Sequence, residues 1–85
     1  MEKKIKHPKI KKFAEAMQKE IDDNSHKGDW ETFLHKENIM SEFYHHLNKL
    51  ENVLQTDENP ELVKEYIADC GNILMMLGNY YKLYD

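Results

Sequence analysis

The feature that most constrains this chain is the run that begins at Asn59-Pro60. Asn is a preferred helix N-cap, Pro is pre-set for the first helical position, and Glu61 suits the positive end of the helix dipole. From there Val63, Ile67, Cys70, Leu74, Leu77, Tyr81 and Tyr84 fall on one apolar stripe at helical period. Leu62, Tyr66, Ile73, Met76 and Tyr80 form a second. A helix over residues 60–84 that is apolar on two sides needs two neighbours. One stripe is expected against the rest of the chain, and the second face against another subunit.

The segments before it read as two further helices. Pro8 suits a first helical position, and Ile10, Phe13, Ala14, Met17 and Ile21 make one stripe on a helix over about 8–24. Asn24-Ser25-His26-Lys27-Gly28-Asp29 is a cluster of turn formers, and it leads to Trp30. Phe33 and Leu34 fit a short turn, after which Asn38 is the expected cap of a helix to about 55 with a core stripe of Ile39, Phe43, Leu47, Leu50 and Leu54. The turn at 56–59 is short enough to fold helices 38–55 and 60–84 back as an antiparallel hairpin. Three Gly and two Pro in 85 residues leave few breaks, and 33% charged residues suit long helices rather than a sandwich or barrel.

The expected fold is therefore all-α, a compact antiparallel bundle of three main helices in a single domain over 1–85. With 40% apolar residues and so short a chain, burial is expected to be completed by homo-oligomerisation, as a dimer or tetramer. Residues 1–7 form a basic N-terminal arm.

Charge is uneven. Residues 1–12 carry six lysines and one glutamate, +5, and residues 13–85 six lysines against fifteen acids, −9. The chain has no arginine, the side chain best suited to bidentate phosphate and base contacts, and the acidic body opposes a polyanion, so both argue against nucleic-acid binding. The single cysteine, Cys70, permits no internal disulfide and fits a reducing compartment. No run approaches the roughly 20 apolar residues of a membrane span, and no hydrophobic segment follows the N-terminal lysines. A soluble, cytoplasmic protein with no membrane partner is expected.

Chemistry is concentrated on the hairpin. Glu42, His45, His46 and Lys49 share one face of the second helix at i, i+3, i+4 and i+7, and Glu65, Asp69 and Asn72 share one face of the third. Counted from the turn, His46 and Lys49 lie at the height of Asp69. A solvated helix face is the plain alternative for each group. The paired histidines lack H-E-x-x-H spacing, so no zinc site is expected.

Phe13-Ala14-Glu15-x-Met17, the loop Asn24-Ser25-His26-Lys27-Gly28-Asp29-Trp30, the Leu47-x-x-Leu50 helix and Glu65-Tyr66-Ile67-Ala68-Asp69-Cys70-Gly71-Asn72 leading into Met75-Met76 resemble the small phage-type MazG-like proteins. The resemblance spans residues 7 to 83. It implies an all-helical nucleotide pyrophosphohydrolase fold encoded by a phage and working in the host cytoplasm. In that family an E-E-x-x-E run and an E-x-x-D run hold magnesium, which carries the triphosphate and activates water.

Carried over, the first run falls on His45, His46 and Lys49, and the second on Tyr66 and Asp69, so only Asp69 keeps its carboxylate. Magnesium demands near-octahedral oxygen ligands, which two imidazoles and an ammonium do not supply. The leading expectation is a non-catalytic nucleotide-binding protein, without catalytic residues, metal or cofactor. Lys27, Trp30, His45, His46, Lys49, Tyr66, Asp69 and Asn72 would bind the ligand, a phosphorylated nucleotide or a host immune signalling messenger that the protein would sequester. Two alternatives stand beside it: a magnesium-dependent pyrophosphohydrolase using Glu42, Glu65 and Asp69 in a shifted register, aided by Glu51, and a helical interaction module acting on a host protein.

Overall fold

His7 and Pro8 open the first helix. The His7 Nδ1 accepts a hydrogen bond from the Lys9 N–H at 3.1 Å, a cap that the Pro8 signal did not by itself disclose. The computed structural model describes residues 5–24, 36–56 and 59–84, and these are all-helical: α1 is Pro8–Asp23, α2 Lys36–Thr56 and α3 Pro60–Tyr80. At the start of α3 the Asn59 side chain accepts from the Glu61 and Leu62 N–H groups, with Pro60 in the first turn, as its sequence implies. The second helix starts two residues before Asn38, so that residue lies in the first turn and not at the cap. Lys36 and Glu37 are good helix formers and extend the turn backward.

The third helix is shorter than its apolar stripes suggest. Lys82 takes a positive φ of 59°, its N–H donates to the Asn79 carbonyl, and the Leu83 N–H donates to the Gly78 carbonyl. This is the paired bonding of a Schellman stop, with lysine in the place that glycine usually fills. The reversal lays the Tyr84 ring on Gly78, where a Cβ would meet ring atoms at 2.5 Å. Tyr84 therefore folds back on the helix end and does not prolong the stripe.

The layout is a central α3 flanked by two helices. It packs most extensively on α2 and next on α1, while α1 and α2 scarcely meet. Buried apolar side chains are few: Ile39 and Val53 on α2, and Ala68, Cys70 and Ile73 on α3. On α2 the inward line is thus 39, 46, 53. Val53 is in the core, and Leu54, expected there, is exposed. No residue of α1 is buried, and Ile10 and Phe13 of its stripe are 57% and 42% exposed. No described helix is long and apolar enough to cross a membrane.

Candidate functional site

The packing of α2 on α3 brings His46 to Asp69. The His46 Nδ1 stands 3.7 Å from the Asp69 Oδ2, and its Nε2 stands 3.5 Å from the Glu42 Oε2 one turn back on its own helix. The imidazole is therefore held between two carboxylates, with Asp69 the more buried of them. The distance to Asp69 is too long for a hydrogen bond, and the buried Nδ1 has no hydrogen-bond partner among the described residues.

Lys49, one turn further along α2, is exposed and stands 6.0 Å from the centre of the Tyr66 ring. His45 is also exposed and packs edge-on to His46, with ring centroids 5.4 Å apart. The helical hairpin thus brings together His45, His46, Lys49, Tyr66 and Asp69. Lys27 and Trp30 lie outside the described residues. Glu51 is exposed on α2.

Asn72 has a different setting. Only 4% exposed, it donates from Nδ2 to the Met17 carbonyl at 3.0 Å and ties α3 to α1, while its buried Oδ1 has no hydrogen-bond partner among the described residues. Its amide is thereby occupied in packing the bundle.

The first helix contributes Glu20, which lies with Phe13 and Met17 on the α3-facing side at spacings of four and three. Burial raises the Glu20 carboxyl above its ordinary range, and the nearby charges of Asp69 and Glu65 raise it further. Burial likewise raises Asp69. The positive field of His46 opposes that shift, the charge of Glu65 adds to it, and Lys49 and a hydrogen bond with Glu20 pull it back. The cleft is therefore rich in acids: Glu42 and Asp69 flank His46, and Glu20 and Glu65 act on Asp69. Of the positive groups that the sequence suggested for phosphate, His46 is flanked by carboxylates, while Lys49 and His45 are exposed. Glu20 was missed because it comes from a helix far away in sequence, although its place on the Phe13–Met17 stripe was a usable signal.

Beside this cluster, α1 and α3 enclose an open groove of about 280 Å³. Ala16, Leu62 and Ala68 give it an apolar floor, and Glu20, Glu65 and Lys19 a charged edge. Among the described residues no three His, Cys, Asp or Glu side chains are arranged to hold a metal ion. Glu42, Glu65 and Asp69 do not form such a set here. Compared with known proteins, the chain matches no family model, no curated protein and no solved structure.

Proposed function

We propose that the protein binds a nucleotide without hydrolysing it, in the cleft between α2 and α3. The observation that carries this reading is the meeting of Lys49 with Tyr66, an exposed ammonium beside a half-buried aromatic ring. A phosphate finds a charge partner in Lys49, with exposed His45 one turn away, and a base finds a stacking face in Tyr66. The carboxyls of Asp69, Glu65 and Glu20 repel phosphate and accept hydrogen bonds. The bound nucleotide is accordingly oriented with its phosphates at the Lys49 rim and its sugar hydroxyls and base N–H groups toward the acids. His46, between Glu42 and Asp69, holds the Asp69 side of that cleft.

The resemblance to MazG-like proteins supports a nucleotide as the ligand class. It also supports a phage origin, with sequestration of a host signalling nucleotide as the biological role. The replacement of three glutamates by His45, His46 and Lys49 supports binding without hydrolysis, because those groups are poor magnesium ligands. The pyrophosphohydrolase alternative stands beside it: Glu20 lies near Glu65 and Asp69, although these carboxyls are not arranged to hold a metal ion.

Equilibrium dialysis against nucleoside triphosphates and cyclic or ADP-ribose-derived messengers, with chromatography of the recovered ligand, separates the two. Retention in chelator with the ligand intact, weakened by Lys49→Glu, is the expected result. Magnesium-dependent conversion to a monophosphate would overturn this reading in favour of the enzyme.

A further inference from the structure

The basic N-terminal region takes no part in the cleft, and the fold gives it neighbours. Phe13 lies over Gly71, the Met17 carbonyl accepts from Asn72, and the groove sets residues 16–20 against 61–68, so α1 runs antiparallel to α3. His46 opposite Asp69 and Lys49 opposite Tyr66 make α2 antiparallel to it as well. The start of α1 and the end of α3 therefore share one end of the bundle, away from the link between α2 and α3.

That end gathers most of the exposed apolar side chains. Ile5, Ile10 and Phe13 on the α1 side, with Tyr80, Tyr81, Leu83 and Tyr84 on the α3 side, are seven of the eleven large ones exposed among the described residues. It also gathers positive charge. Lys6, Lys9, Lys11, Lys12 and Lys82 are exposed there, none with an ion-pair partner among the described residues, against Glu15 on α1 and Glu37 on α2. The opposite end carries Asp22, Asp23, Glu51, Glu61 and Glu65, so charge is divided lengthwise. At Ile10 the two features interlock. Lys9 and Lys11 stand about 100° to either side of it around α1, so both ammoniums can reach outward while the apolar side chain is pressed in.

We infer that this end of the bundle rests on an anionic lipid bilayer, with Ile10, Phe13 and the tyrosines at the interface and the lysines on the headgroups. Charge and apolarity are both used only by that partner. A nucleic acid would engage the lysines but leave Ile5, Ile10 and Leu83 uncovered, and the chain has no arginine for it. A neutral apolar partner would bury five unpaired ammoniums. Tyrosine favours the boundary between headgroup and hydrocarbon. The acidic end is repelled by the same surface, which orients the molecule. The sequence expectation of no membrane partner rested on the lack of a spanning segment, and a surface contact needs none.

Flotation of the full chain with vesicles of equal parts phosphatidylglycerol and phosphatidylcholine, beside phosphatidylcholine alone, tests this. The protein should float with the anionic vesicles at low salt, stay behind with the neutral ones, and be largely released at about 1 M salt, where charges are screened. Each lysine at an anionic surface is worth about fivefold in partitioning, so Lys9→Gln combined with Lys12→Gln should lower it by about 25-fold. Ile10→Ser should lower it by about fivefold, because just over half of that side chain remains to be buried. Lys64→Gln, at an exposed position toward the acidic end, should leave it unchanged. A chain that floats with neither vesicle overturns the inference, including one that binds a DNA or RNA duplex at the same salt, and so does equal flotation with both. Flotation untouched by the Lys9, Lys12 and Ile10 substitutions overturns the assignment to this end.

Discussion

The two sides of α3 differ in what completes them. On the side of Tyr66, Asp69 and Ile73, groups from α2 and α1 answer each residue: His46 faces Asp69, Lys49 faces Tyr66, and Ile73 is buried. On the side of Ile67 and Leu74 nothing within the described chain covers the apolar surface. One helix can be apolar on two sides and still have only one of them satisfied internally. The polar side is held by charge pairing and the bare side is apolar surface, so they should respond to different perturbations.

The largest expected contrast is between neighbours. Ile73→Ala removes buried side-chain volume and should cost about 2–4 kcal/mol, a large share of the stability of so small a domain. Leu74→Ala, at a half-exposed position, should cost under about 1 kcal/mol. Denaturant titrations compare the two, and equal losses for both would erase the distinction between the sides.

A smaller effect sharpens where α3 ends. Lys82 pays for a left-handed backbone that glycine adopts freely, so Lys82→Gly should stabilise the chain by about 1 kcal/mol in the same titrations. No gain would mean that the stop at Tyr80 is not held as described.

The smallest concerns charge on the polar side. Glu20 and Asp69 both have folded carboxyls raised above their ordinary values of 4.5 and 3.8, so the native state holds their protons more tightly than the unfolded chain does. Their contribution is fully present below those ordinary values and is lost as pH rises through the raised ones. As pH falls from neutral through the raised values toward the ordinary ones, the stability of the wild type should therefore increase from these groups. Glu20→Gln should flatten that slope and gain a few tenths of a kcal/mol at neutral pH, about the size expected for a partly solvated charge. A slope unchanged by the substitution would remove Glu20 from the cluster.

Much of this was legible in the residues. Asn59-Pro60 placed the start of α3, and the shortness of the turn placed His46 beside Asp69, because a tight hairpin leaves little freedom of register. Period alone could not tell which stripe of α3 faces inward, since both are apolar, and the choice depends on where the flanking helices settle. It also could not rank Val53 over Leu54, adjacent positions separated by 100° on α2. Glu20 escaped because its partners Glu65 and Asp69 are some fifty residues away. The end of α3 escaped because a lysine stands where the stop would ordinarily show a glycine.

The central claim is that the polar side of α3 binds a nucleotide independently of the apolar side. Thermal unfolding of wild type, Lys49→Glu and Leu74→Glu in chelator, each with and without the nucleotides and messengers named above, tests it most directly. The account predicts that one of these ligands raises the melting temperature of wild type and Leu74→Glu and fails to raise that of Lys49→Glu. A wild type that responds to none of them, or only when magnesium is restored, would contradict it.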